Sequence, residues 1–226
     1  MKTKLLILSF AVLLFASCEK NDDDNTPPTE TATYINTNAG SSWTYHETNS
    51  SGITPVNTDY TLVSSSMDTS INGKTYHVFN YSYGGSQYLT VSGHDYFQFD
   101  SIPGGLNQVF DRLYLKDNVA AGTSWKQDLS VSVPGVPLPV PVTITNTISE
   151  KGISRDVNGT SYSNVIHVNT TITSSLIPAG SLTSAIDSYY AEKYGLIENS
   201  SVVSLDFFGT TKFVDVKTKL TSATLK

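Results

Sequence analysis

WKQDLSVSVPGVPLPVPVTITNTI, residues 125–148, decides the fold. Trp125, Leu129, Val131 and Val133 alternate with Lys126, Asp128, Ser130 and Ser132. Beyond the prolines, Val140, Val142, Ile144 and Ile148 alternate with Pro141, Thr143, Thr145 and Thr147. Successive side chains of an extended chain point to opposite sides, so a period of two predicts strands with one buried face and one wet face. The connecting Pro134-Gly135-Val136-Pro137-Leu138-Pro139 makes the pair a hairpin with a loop poor in N–H donors. The same texture extends outward in both directions. Ser, Thr, Val, Ile and Tyr dominate between Asn-Gly and Gly-Gly punctuations, and Val214, Val216 and Leu220 oppose Asp215, Lys217 and Lys219 in a closing strand. From about Thr37 onward no stretch carries apolar residues at helical spacing. The prediction is an all-β, antiparallel domain.

Two segments recur in order. Ala39-Gly40-Ser41-Ser42-Trp43 matches Ala121-Gly122-Thr123-Ser124-Trp125 at an offset of 82, and Ile71-Asn72-Gly73-Lys74-Thr75-Tyr76 resembles Val157-Asn158-Gly159-Thr160-Ser161-Tyr162 at an offset of 86. The pattern predicts a single β domain over residues 37–226 built from two tandem similar halves, about 37–118 and 119–226. With one shared core they form a sandwich, a barrel or an open half-barrel. Asn72-Gly73 and Asn158-Gly159 fit two-residue type I′ turns, which need positive φ at both positions. Trp43 and Trp125 read as a core anchor for each half.

Composition removes some functions. The chain has 226 residues, 38% hydrophobic and 15% charged, with 20 acids against 14 bases and a net charge of -6. Its only arginines are Arg112 and Arg155. Nucleic acid binds through clustered cations, so no nucleic-acid partner is expected.

The N-terminus sets the address. Lys2 and Lys4 precede an uncharged apolar run from Leu5 to Ala16, too short to span a bilayer and suited to a signal peptide over residues 1–17. Phe15-Ala16-Ser17-Cys18 resembles a bacterial lipobox, although Phe15 stands where an aliphatic residue is usual. That resemblance implies cleavage before Cys18, the only cysteine, and its acylation as the lipid attachment site. Residues 18–36, with Asp22, Asp23, Asp24, Pro27 and Pro28, read as a flexible acidic tether. A lysine and several acids so placed resemble the export signal of surface lipoproteins in Bacteroidetes-type bacteria. The resemblance implies an outer-membrane, lipid-anchored protein facing the cell exterior, with the membrane as partner.

Chemistry is sparse in the body. His46, His77, His94 and His167 lie far apart without metal-ligand spacing, and no metal or other cofactor is expected. No serine sits in GxSxG, no glycine-rich loop leads into a helix, and the sequence alone pairs none of Glu150, Asp156, Asp187, Glu192 and Glu198. No catalytic residue is assigned. Tyrosine is the excess: Tyr76, Tyr81, Tyr83, Tyr88 and Tyr96 cluster near Phe79, Phe97 and Phe99. Its plain reading is a strand former whose hydroxyl reaches water at a sheet rim; the sharper reading is an aromatic face that stacks on sugars or encloses lipid. On a strand over 74–83, His77, Phe79, Tyr81 and Tyr83 share a face and are candidate ligand contacts. Val136 and Leu138, at the tip of the Pro-rich loop, are candidates for covering an apolar cavity or touching a membrane. The leading expectation is a non-enzymatic binding module for a lipid, glycan or other aromatic-stacking ligand. A polymer hydrolase and a structural or adhesion component are the rivals. Acylation requires the thiol, so Cys18→Ser is expected to release the protein from the detergent phase on partitioning; wild-type partitioning would refute the anchor.

Overall fold

In the computed structural model, the described residues are 33–102, 106–132, 138–207 and 209–226. The signal peptide, Cys18, the acidic run and Val136 lie outside them. Residues 32–226 form one compact unit. The strands are β1 (Ser42–Asn49), β2 (Val56–Ile71), β3 (Lys74–Tyr81), β4 (Ser86–Ser92), β5 (Asp95–Ile102) and β6 (Leu106–Lys116). They continue with β7 (Ser124–Val131), β8 (Val140–Val157), β9 (Thr160–Thr173), β10 (Leu182–Ala191), β11 (Gly195–Phe207) and β12 (Thr210–Thr224). There is no helix among the described residues.

All twelve strands belong to one antiparallel sheet, a nearly closed barrel-like meander in which β1 pairs with β12. Of the three architectures open to the sequence, the chain takes the barrel. The sheet's two edges are β6 and β7, adjacent in sequence. Side chains bridge them. Gln127 accepts from Leu113 N–H at 2.9 Å and donates to Asp111 C=O at 2.9 Å. A carboxamide sets an N–H donor beside a C=O acceptor, as a peptide unit does, so Gln127 stands in for a missing strand. Trp125 Nε1 at 2.9 Å and Asn146 Nδ2 at 3.3 Å both donate to Leu113 C=O.

Alternation holds where it was read. Val140, Val142, Ile144 and Ile148 are buried between half-buried or exposed partners, and Val131 ends β7 in the same core. Asn72 and Gly73 have φ of 52° and 80°, Asn158 and Gly159 50° and 82°, the double positive φ that a type I′ hairpin requires. The Ala-Gly-Ser/Thr segments make one recurring turn. Gly40 N–H bonds Ser64 C=O and Gly122 N–H bonds Ile148 C=O, while Ser41 and Thr123 accept from those same two residues. Ala179-Gly180-Ser181 repeats part of it, with Asp206 N–H bonded to Ser181 C=O.

Residues before Thr37 take part in the core. Tyr34 and Ile35 are buried, because the segment before β1 crosses one end of the barrel as a strap. Lys193 N–H bonds Thr33 C=O, Tyr34 N–H bonds the Tyr96 hydroxyl, and the Tyr34 hydroxyl bonds Asn164 C=O. The strap runs so close to the β10–β11 turn that a Cβ on Gly195, at φ +71°, would lie 3.2 Å from the Tyr34 carbonyl oxygen. Three register shifts in β8 and β9 bend the long hairpin and bring Val157, Tyr162 and Val165 into the core at this end.

Removing Gln127 leaves the Leu113 N–H and Asp111 C=O without partners, and each unsatisfied backbone group costs about 1–3 kcal/mol. Gln127→Ala is therefore expected to lower stability by about 2 kcal/mol or more in urea melts. An unchanged midpoint would show that the seam holds without it.

Candidate functional site

Strand alternation points one row of each strand into the barrel, and these rows enclose a cavity of about 350 Å³. Trp43 and Tyr45 on β1, Tyr60 and Leu62 on β2, Phe79 and Tyr81 on β3 and Leu89 on β4 form an aromatic and aliphatic wall. Its rings touch in series. Trp43 and Phe79 centroids are 5.8 Å apart, Tyr45 and Tyr60 5.4 Å, and Tyr60 and Tyr81 5.8 Å. Polar residues flank this wall on both sides: Gln87, Gln98, Asp100 and Arg112 from β4–β6, and Ser188, Asn199, Ser201 and Thr218 from β10–β12. Tyr34, Ile35 and Asn36 of the strap also line it.

Asp100 and Arg112 are the only charged side chains among the described lining residues. Gln98 links them, accepting from Arg112 Nη2 at 3.0 Å and donating to Asp100 Oδ2 at 2.8 Å. Opposite, Asn199 donates to Ser188 and accepts from Ser201. Burial raises six of the lining phenols. Tyr34 is pushed up to about 12, first by desolvation and then by Glu192 and Asp117. Tyr45 and Tyr114 lie well above the ordinary value of 10.0, desolvation leading again, and Tyr60, Tyr81 and Tyr190 are raised for the same first reason. The cavity's hydroxyls are therefore neutral hydrogen-bonding groups. Two lining residues also carry buried donors that have no partner among the described residues, Trp43 Nε1 and Arg112 Nε, both covered by their neighbours.

Two side-chain clusters outside the cavity resemble catalytic arrangements. Ser64 Oγ lies 2.8 Å from His77 Nε2, and His77 Nδ1 lies 2.8 Å from Asp68 Oδ1, the connectivity of a serine triad. Yet Ser64 is 1% exposed and its hydroxyl donates to the Thr37 carbonyl of the strap at 3.0 Å. The trio fastens the strap. His167 sits between Glu150 at 3.2 Å and Asp187 at 2.7 Å and stacks on Tyr189 with centroids 4.2 Å apart. Neither carboxylate borders the cavity, where Asp100 is the sole one among the described residues. No group of three or more metal-ligating side chains is arranged to hold an ion among the described residues.

Phe79 and Tyr81 line the cavity. His77 shares their face but packs edge-on against Phe79, 5.0 Å between centroids. Tyr83 lies beyond β3, which ends at Tyr81, and is exposed while stacked 5.0 Å from Tyr81. Leu138 is 71% exposed and does not border the cavity. The tyrosine hydroxyls are not mainly at a wet rim, since Tyr34, Tyr45, Tyr76, Tyr96, Tyr114, Tyr162 and Tyr190 are all buried. Closing the sheet turns Tyr45, Tyr114 and Tyr190 inward to line the cavity, while Tyr76 is buried on the opposite face of β3 against Phe99. Sequence reasoning missed Arg112, Gln98, Asn199 and Thr218, polar residues whose inward direction only the alternation of their strands' apolar neighbours signals.

No family model matches the chain, and no curated protein matches it. Two solved structures are similar. One is a candidate lipoprotein from Parabacteroides distasonis, 9% identical over 86% of this chain and 100% of that one, with a TM-score of 0.46. The other is a candidate exported protein with a YmcC-like fold from Bacteroides fragilis, 10% identical over 86% and 100%, with a TM-score of 0.43. What the cavity does is read from the chain's own residues.

The raised phenols predict an alkaline limit. An unfolded chain releases tyrosine protons near pH 10 while the folded barrel retains them, so unfolding gains free energy above that pH. Stability contributed by these groups is complete below pH 10 and falls as pH rises toward the folded values, about 12 for Tyr34. Thermal melts from pH 8 to 12 are expected to be flat until about pH 10 and then to fall. Ultraviolet titration showing all thirteen tyrosines ionising near pH 10 would contradict this.

Proposed function

We propose that this protein is a lipid-anchored lipoprotein of the outer membrane, facing the cell exterior, that binds a small ligand inside its barrel without transforming it. The carrying observation is the cavity of about 350 Å³, within the ~300–1,000 Å³ range of small-molecule sites, with an aromatic wall and flanking polar groups. The address is supported by the basic and apolar N-terminus, the lipobox-like Phe15-Ala16-Ser17-Cys18 and the acids at 22–24. Cys18 carries the lipid, palmitate among its acyl chains.

Binding is favoured over hydrolysis on two grounds. Glycoside hydrolysis uses two carboxylates flanking one bond, and Asp100 stands alone in the described cavity lining. Acyl transfer needs a reachable nucleophile, and Ser64 is covered by the strap. The two runs of six strands, with matched Ala-Gly turns and Asn-Gly hairpins, support an origin by duplication of one unit.

Ligand-linked stabilisation tests the reading. A ligand at a hundred times its dissociation constant adds about 2.7 kcal/mol, which for a chain of this size raises the melting temperature by about 5–10 °C. Lipid and glycan fractions of a bacterial envelope are mixed with the full chain and with Leu89→Trp, a substitution that puts an indole into part of the cavity. At least one fraction is expected to shift the wild type and not the variant. Equal shifts in both, or none in either, would place function elsewhere.

A further inference from the structure

We propose that the ligand of this cavity is a neutral, hydroxyl-rich ring of the kind found in sugars, taken up between the aromatic wall and the flanking amides and hydroxyls. The proposal rests on the binding reading above and narrows it to a chemical class. The first ground is the aromatic wall. Trp43, Tyr45, Tyr60, Phe79 and Tyr81 line one side of the cavity, with neighbouring ring centroids 5.8 Å, 5.4 Å and 5.8 Å apart. Such ring faces take up a flat, C–H-bearing ring.

The second ground is charge. With the phenols held protonated by burial, the lining carries one carboxylate and one guanidinium, joined through Gln98. An anionic ligand pairing with Arg112 would meet Asp100 beside it, and a cation would meet Arg112; a neutral ligand meets neither penalty.

The third ground is the distribution of surface. A long acyl chain needs an apolar tunnel, whereas this cavity interleaves rings with side-chain amides and hydroxyls at Gln87, Asn199, Ser201 and Thr218. Burying those against methylene groups would leave their remaining hydrogen-bonding capacity unused. A pyranose presents C–H faces to rings and hydroxyls around its edge. Its edge groups both donate and accept, matching amides and hydroxyls that already share some bonds among themselves.

The test uses the full chain carrying Trp125→Phe, so that Trp43 is the only fluorescent indole, since the protein has two tryptophans. Maltose, cellobiose and N-acetylglucosamine are the neutral probes, glucuronate the acidic one, palmitate the acyl one. At least one neutral sugar is expected to change Trp43 emission saturably. Calorimetry, which needs no indole, is expected to show a tenfold or greater loss of affinity in Asn199→Leu and in Tyr81→Leu. Leu89→Trp, read the same way, should also weaken binding tenfold or more, and cooperative thermal melts of all three variants establish that each is folded. Silence of all three neutral sugars overturns the class. Palmitate or glucuronate binding alone, lost in Leu89→Trp, overturns the class while leaving the cavity as the site. Neutral sugars bound equally by wild type and Leu89→Trp would overturn both.

Discussion

A sheet of twelve strands that curls on itself must do something with its last two edges, and here that something is the Gln127 carboxamide. Strand edges expose rows of peptide groups that water or another chain will pair. By bonding Leu113 N–H and Asp111 C=O, Gln127 brings β7 against β6 where no backbone ladder does. Once that gap is drawn together, the inward rows of β1–β6 face those of β10–β12 and a cavity exists between them. An open sheet with the same strands would present Tyr45, Tyr60, Phe79 and Tyr114 to solvent. The tyrosine-rich composition makes sense only for the closed form, in which those rings become a wall.

The two tryptophans show how topology divides one motif into two roles. Each follows the same Ala-Gly turn and opens a strand. Trp43 lies on β1, paired on both sides by β2 and β12, so no neighbouring backbone group is free to take its indole N–H. Trp125 lies on β7, paired only by β8, and its N–H reaches the open carbonyl of Leu113. The donor consumed by the seam in one case is buried without a partner in the other. The difference between the two follows from the way the sheet closes.

What the sequence disclosed follows the range of the interactions concerned. Alternation in 125–148 and positive φ at Asn72-Gly73 and Asn158-Gly159 are local, and both are read directly. Pairing of β1 with β12 joins Ser42 to Thr224 and leaves no local trace. Gln127 is a polar residue in a row of polar residues, and nothing near it says that its partners are peptide groups on β6. Inward polar side chains misled in the opposite direction. Asn146, Ser64, Ser188 and Thr218 are buried and interrupt the apolar rows. Tyr34 and Ile35 fell to the tether side of the boundary because two apolar residues in a Thr-rich run make no pattern. Of the candidate contacts on β3, Phe79 and Tyr81 reach the cavity because strand alternation is faithful there. Tyr83 falls beyond it because the strand ends before the alternation does.

The strap joins the two remaining questions, catalysis and shape. Ser64, His77 and Asp68 are connected as a nucleophilic site would be, and the connection alone would license an esterase reading. To act, Ser64 would have to shed its bond to the Thr37 carbonyl, and the strap would have to lift. The same strap carries Tyr34, Ile35 and Asn36, which line the cavity beside the nucleophile's strand. Lifting it would break the bonds at Thr33, Tyr34 and Asn38 that hold it to the β10–β11 turn, Tyr96 and the C-terminal Lys226. It would also remove part of the cavity at the moment a substrate needed it. In this structure Ser64 is covered, and the strap that covers it also completes the cavity lining. The hydroxyl that resembles a nucleophile is one of the bonds that fasten the strap.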